Sequence, residues 1–518
     1  MTPIGYAYLN QYYQLLLPKL NLEVYQDPSA ETESIQRYGA SQRKILPRHI
    51  KTPTSPYEHM IAAIKHQGIR LPFFAAIFRR LDVEAFTLFI AAAPNAKHNR
   101  VLWHLYEWLI DTQLALPDLK FGNYVALFDD RYYFTLAEGD RDRRTRVRNN
   151  AIGTREYCPT VRKTPEINKL AKTDVYKTAY AEIQKLGEHL SADVIGRSVN
   201  YLYTKETRSS NAIENERPDD RRTQRFLNAI KNAGLFELSK EKLIDIQNQI
   251  VAETAKAGDY RDFEIYVGSV IHRRGEMDED VHYVGCPARH VHSMMRGFFA
   301  LHDRLMLDGG IPSLIHAAIV SFAEVYIHPF TDGNGRIHRY LIHDVMRQRE
   351  HDHRFVIPIS AAILRNTSKY DEVLESISVP LLAMLDYHFD NDRRLVIDND
   401  IDYVYRYPDF TRHVCFVYEM MNTAISEELV QEIVLLQVFD TIKEVINRLV
   451  DVPNHKLDTL VSIVISGGGK VSRSKHRLFG AHLDDSQIAD IESLATALIE
   501  RMKSQFSVDL QAVMNTRT

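Results

Sequence analysis

The chain has 518 residues, 45% of them hydrophobic and 25% charged, with a formal net charge of −4. That length buries a core easily and predicts roughly three domains. The balance is that of a soluble globular protein and leaves no overall footprint for nucleic acid.

In chain order, Met1–Tyr6 lacks the basic residues and apolar run of a secretory leader. The two most apolar stretches, Leu71–Phe78 and Phe86–Ala93, are separated by Arg79, Arg80, Asp82 and Glu84. Neither reaches the roughly 20 residues of a membrane span. Cys158, Cys286 and Cys415 lie far apart without a CxxC pattern, which points to a reduced, cytoplasmic setting. Residues 1–50 predict an amphipathic lead helix and then a polar segment, Asp27–Arg43. Residues 55–117 predict helices, with Tyr57, Met60, Ile61 and Ile64 as one stripe. A second stripe, Val101, Leu102, Leu105, Trp108 and Leu109, reads as core packing ahead of an aromatic ligand box. Phe121–Phe134 predicts short strands. Arg141–Arg148 holds five arginines in eight residues. With Asp140 and Asp142 nearby, it reads as solvated or internally paired rather than RNA- or phosphate-binding.

Residues 174–208 predict helix and lead into Ser210-Asn211-Ala212-Ile213-Glu214-Asn215, on its own a helix cap. After the turn Ala257-Gly258-Asp259-Tyr260-Arg261, Val267–Ile271 and Val281–Val284 pair as a hairpin around the polar tip Arg273–Asp280. Its open edge would let a target segment add as a strand. His282, Cys286, His290 and His292 fit no zinc spacing, and His338, His343, His351 and His353 are no better as ligands.

Pro312 opens a helix whose apolar residues recur at helical spacing from Leu314 to Ile327, a buried central element that Pro329 ends. The next stretch, His328-Pro329-Phe330-Thr331-Asp332-Gly333-Asn334-Gly335-Arg336-Ile337-His338-Arg339, is dense in chemistry. His328 is a side chain able to take a proton near neutral pH. Asp332 is a hard carboxylate of the kind that holds Mg²⁺ with phosphate oxygens. Gly333-Asn334-Gly335 lets backbone N–H groups converge on an anion. Arg336 and Arg339 share a face where the next helix begins, so helix terminus and guanidiniums together suit a polyphosphate.

This stretch resembles the Fic family signature, HxFx(D/E)GNGRxxR, with every specified position met, and the resemblance covers about residues 175–390. It implies transfer of a nucleotide monophosphate, usually AMP from ATP, to a hydroxyl of a protein. By resemblance, His328 deprotonates the target and Asp332 holds Mg²⁺ (or Mn²⁺). The amides of Gly333, Asn334 and Gly335 with Arg336 steady the phosphates, Arg339 grips the γ-phosphate, and Phe330 points into the core. Kinase-type relatives carry lysine at the second glycine, and Gly335 argues against that variant. Ser210, Glu214 and Asn215 resemble the (S/T)xxxE(G/N) pattern of the family's inhibitory helix, in the class whose control helix precedes the core. Glu214 would then pair with Arg339 in place of ATP. The same carboxylate could instead position a water for removal of AMP. Asn366 and Tyr370 resemble an Asn-x-x-x-Tyr stretch near the nucleoside and would share a helix face.

The implied fold is mainly α: a Fic-type helical core with a β-hairpin flap and mostly helical extensions at both ends. The expected division is 1–165 (N-terminal, role unassigned), 166–395 (the core, with the inhibitory helix around 208–216 and the flap around 265–287) and 396–518. In the last part, Ile425–Val450 and Lys456–Ile465 predict amphipathic helices that offer a partner or homodimer surface. Gly467-Gly468-Gly469 is too slack for a DNA-recognition turn before Lys470, Arg473, Lys475 and Arg477. The expected partners are ATP and a protein target, with the chain itself a candidate, and neither nucleic acid nor membrane. A protein that senses ATP without transferring it is the alternative from another class.

Overall fold

Helix-forming periodicity prevails over most of the chain, and the computed structural model is mainly α with a few small sheets. It describes all residues except 16, 19, 40, 187–191, 274–275, 351–354, 451, 481, 507–509 and 511–518. His351 and His353, and the centre of the hairpin tip, therefore lie outside the described residues. The chain packs as two units that alternate along the sequence. The first comprises 1–168, 236–349 and 368–415, and the second 169–235, 350–367 and 416–518. The three consecutive parts expected from the sequence divide the chain differently, because 166–395 contributes to both units.

In the first unit the leader is not helical at its start. Only Tyr6–Tyr12 forms the expected lead helix, and strands Thr2–Ile4, Leu22–Gln26, Ser34–Tyr38 and Ser41–Leu46 make a sheet of order first-second-fourth-third. The third strand pairs through its backbone while its side chains stay largely exposed, so its polar sequence carries no buried period to read. Helices Pro56–Gln67, Leu71–Phe78, Val83–Ala92 and Lys97–Ile110 follow, the first and third capped by the side chains of Ser55 and Asp82. The arginine-rich stretch turns inward. Arg144 pairs with Glu107 (3.1 Å) and Asp118 (2.6 Å), and Arg146 and Arg148 donate to the carbonyls of Lys120 (3.0 Å) and Ala137 (2.7 Å). The leader is bonded to later segments of its own unit: Cys158 N–H donates to Arg406 O, and Asp409 takes both Arg70 and Arg162.

The rest of this unit is built around helix Ser313–Ile327, buried from Leu314 to its end. Ala288–Leu307 and Asn334–Arg349 pack on it, and Lys240–Ile250 packs on Asn334–Arg349. The expected hairpin forms from Tyr266–Arg273 and Glu276–Val284, antiparallel with Tyr266 opposite Val284 and an irregularity between Val267 and Gly268.

The second unit contains helices Val175–Lys185, Ala192–Ile213, Asp220–Lys231 and Ile359–Arg365. The expected helix 425–450 begins as a π-helical turn, Ala424–Leu429, and continues as Val430–Leu449; Asn454–Ser466 and Asp485–Phe506 follow. After the triple glycine the basic segment forms Arg473–His476, a single turn. No helix among the described residues is long and apolar enough to cross a membrane.

Candidate functional site

Helix Ser313–Ile327 stops at His328, which takes a left-handed conformation (φ 54°, ψ 60°) while its N–H still closes onto Glu324 O. A non-glycine residue held there costs on the order of 1 kcal/mol, the kind of strain found at working sites. The turn brings imidazole Nδ1 to 3.0 Å from Val325 O. A carbonyl can only accept, so Nδ1 carries a hydrogen, and in the neutral ring Nε2 carries the lone pair.

The following loop is held from three sides. Phe330 is buried, its N–H donates to Asn334 Oδ1 (3.1 Å), and its carbonyl accepts from Asn334 Nδ2 (2.8 Å). Gly333 has φ +95°, and a Cβ there would come within 2.9 Å of Val251 Cγ1. Buried Gln247 donates to the carbonyls of Asp332 (3.1 Å) and Ala255 (2.9 Å). The first amides of the sixteen-residue helix Asn334–Arg349 thus sit in a fixed frame, with the positive end of the helix dipole behind them.

Two guanidiniums lie beneath this frame, Arg336 at 1% exposure and Arg339 at 0%. Arg336 Nη2 donates to Asp332 Oδ1 (2.9 Å), and Nη1 reaches Ile250 O (3.4 Å). Glu324, one turn before His328, is fully buried. Burial pushes its carboxyl well above the usual range, against the pull of Arg339. His338 is pushed down to about 3, first by burial and then by the Arg339 charge. Its ring packs on Phe322 (4.5 Å) and stacks with Tyr370 (6.0 Å, 15°).

Residues 237–346 match the family model described as Fic/DOC family. This segment is a Fic/DOC-family domain. The chain is also similar to two solved structures. One is a Fic family protein from Desulfovibrio desulfuricans G20, 17% identical over 52% of this chain and 75% of that one, with a TM-score of 0.35. The other is a Fic domain containing signaling protein from Bacteroides thetaiotaomicron VPI-5482, 14% identical over 49% and 96%, with a TM-score of 0.32. Superpositions this loose carry no functional information.

Within the Fic domain His328, Asp332, Gly333, Asn334, Gly335, Arg336 and Arg339 share one loop and the helix it opens. Tyr370, in helix Thr367–Leu382, belongs to the same unit; Ser210, Glu214, Asn215 and Asn366 belong to the second. Ser210 is buried near the end of helix Ala192–Ile213, and Glu214 and Asn215 are exposed in the turn beyond it, Asn215 at φ 54°. The continuous helix expected through Asn366 and Tyr370 is broken at Asn366 (φ −125°, ψ 38°). Its amide donates to Ala362 O (2.8 Å), a local bond that competes with continuing the helix.

The spaced histidines do not gather with Cys286. Among the described residues, the only cluster with a metal-ligand set is His290, Asp400 and Asp402. Arginines already neutralise it: Arg406 and Arg79 lie on Asp402 (2.6 and 2.7 Å), and Arg289 lies 3.5 Å from Asp400. Gln247, Arg261 and Glu324 were not singled out from the sequence. Glu324 alone left a signal there, a charge inside an apolar helical run.

Proposed function

We propose that this chain is an Mg²⁺-dependent protein adenylyltransferase that moves AMP from ATP to a Ser, Thr or Tyr hydroxyl, restrained by Glu214. The observation carrying the reading is the 3.0 Å contact of His328 Nδ1 with Val325 O, which in the neutral ring leaves Nε2 as the base at the head of a loop of amides and guanidiniums. Nε2 takes the proton of the acceptor hydroxyl as its oxygen bonds to the α-phosphorus. The bond from that phosphorus to the bridging oxygen breaks and pyrophosphate leaves with the electron pair. The loop amides, Arg336 and Arg339 offset the charge of the phosphate chain. Asp332 is half-exposed and gives Oδ1 to Arg336, so its other oxygen suits a hard cation shared with phosphates. Bound there, Mg²⁺ supplies charge neutralisation. The hairpin edge would present the target segment, and a reducing cytoplasm suits the three free thiols.

The restraint rests on the Ser210–Asn215 pattern and the chemistry of its carboxylate. A glutamate competing for the γ-phosphate's arginine would weaken productive ATP binding by roughly one to two orders of magnitude. The test is incubation with ATP labelled at the α-phosphate. Glu214→Gly is expected to raise acid-stable self-label about ten- to a hundred-fold, and His328→Ala in that background to remove it. Reversible ATP binding with no covalent label would overturn the reading in favour of an ATP sensor. Loss of AMP from a pre-modified protein, dependent on Glu214, would reverse the direction of the reaction.

A further inference from the structure

Arg261 is buried, and its guanidinium is spent on main-chain carbonyls of three separate segments. Nε donates to His328 O (2.7 Å), Nη2 to Cys286 O (2.5 Å) and Ile327 O (3.3 Å), and Nη1 to Phe263 O (2.9 Å). Its own N–H donates to Pro329 O (2.9 Å). Ile327 and His328 end the central helix, where carbonyls lack helical donors and a cation meets the negative end of the dipole. Phe263 and Cys286 flank the two roots of the hairpin, whose ladder extends there through Gly285 N–H to Ile265 O (3.0 Å). Gly285 leaves the guanidinium its room, since a Cβ would stand 2.8 Å from Nη2. None of these bonds involves Gly333–Arg339.

We infer that Arg261 is a positioning residue of the transfer: one guanidinium frames the hairpin roots and the His328 main chain together, so a hydroxyl offered along the hairpin meets Nε2. A lysine keeps the charge but has no planar fork to serve four carbonyls at fixed angles. A displacement of about 1 Å between base and acceptor is enough to cost roughly a hundred-fold in rate.

The inference rests on the adenylyltransferase reading, and its test uses the full chain with Glu214→Gly as parent. Self-labelling from α-labelled ATP is measured for Arg261→Lys and for Gly285→Ala, which crowds the guanidinium without removing it. Both are expected to lose about a hundred-fold in rate at saturating ATP, with the ATP concentration for half-maximal rate within about threefold of the parent. Hydrogen exchange should quicken in residues 266–273 and 276–284 and stay unchanged in 334–349. A rate within about threefold of the parent for Arg261→Lys overturns the inference. So does a parallel collapse of rate, ATP dependence and exchange protection throughout the unit, which marks a purely structural residue. A parent that takes no label overturns the transferase reading and this inference with it. A labelled parent beside an unimpaired Arg261→Lys overturns this inference alone.

Discussion

The carbonyl oxygen of Val325 and Nδ1 of His328 lie 3.0 Å apart, a bond made within the last turn of one buried helix. In the neutral ring it makes Nε2 the basic nitrogen. Asparagine tolerates the left-handed conformation and offers an N–H in the position of Nδ1, but supplies no base. His328→Asn should therefore keep unfolding free energy within about 0.5 kcal/mol of the parent. Transfer should fall by about 10²–10⁴-fold. Urea unfolding and pyrophosphate release on the same preparation check both halves.

Asp332 is shared between Arg336, through Oδ1 at 2.9 Å, and whatever its second oxygen meets. Chelation of divalent cations is expected to stop labelling while leaving the unfolding midpoint of the nucleotide-free protein in place. Asp332→Ala should raise the Mg²⁺ concentration for half-maximal labelling by about tenfold or more. Its stability cost should stay near 1 kcal/mol, because the carboxylate is half-exposed and its ion pair is screened. A metal titration of labelling in both proteins reads this directly.

Gly333 combines φ +95° with a neighbour, Val251 Cγ1, 2.9 Å from where a Cβ would stand. Strain and crowding add, so Gly333→Ala should cost about 1–3 kcal/mol and remove transfer by tilting the amides behind it. The check pairs denaturant unfolding with ATP affinity. Gly258→Ala is the control, since its φ is ordinary and a Cβ there meets nothing within 4 Å.

The His328–Arg339 loop was legible because its chemistry is contiguous, and the hairpin because Val267–Ile271 and Val281–Val284 are β-branched runs on either side of a polar tip. Arg261 was legible only as part of a turn. Its bonds reach carbonyls 25 and 67 positions away, and carbonyls are common to every residue type. The alternation of the two units is hidden for the same reason: segments such as 350–367 are assigned by what they pack on, which no local period encodes. The hairpin strand Ser34–Tyr38 fails differently, because exposed side chains impose no pattern at all.

In the second unit, Lys205 Nζ lies 2.7 Å from Glu428 and 3.4 Å from Glu432, both buried, and Arg365 Nε lies 2.8 Å from Glu428. The next residue, Glu206, accepts from Ser360 N–H (2.9 Å) and Oγ (2.5 Å) at the start of helix Ile359–Arg365. Helix Ala192–Ile213, which leads into Glu214, is thus seated by buried charge. Lys205→Met should cost about 3–5 kcal/mol. Arg197→Met, which removes a more exposed pair with Asp440, should cost about 0–1 kcal/mol. If Glu214 restrains transfer, Lys205→Met should also raise self-label, an effect lost in the Glu214→Gly background.

Buried histidines of the first unit make its stability depend on acid; His59, His66, His98, His302 and His316 are all pushed down by burial, and His338 and His413 are two more. His338 and His413 both pack on Phe322, at 4.5 and 4.6 Å, and both are pushed down to about 3. Burial is the main cause in each; the Arg339 charge adds to it at His338, and at His413 burial prevails over the opposing pull of Asp409, with smaller contributions from His338 and Arg412 in the same direction as burial. A free histidine takes its proton near 6.5, so between there and about 3 the unfolded chain holds protons that the folded one refuses. Stability is complete above that window and drains as pH falls through it, by about 1.4 kcal/mol per pH unit for each histidine. Urea unfolding from pH 8 to 5, above the range where most carboxylates titrate, should show this slope. His338→Phe, which keeps an aromatic ring against Phe322, should lower it by one proton's worth; an unchanged slope would mean that His338 is protonated in the folded state.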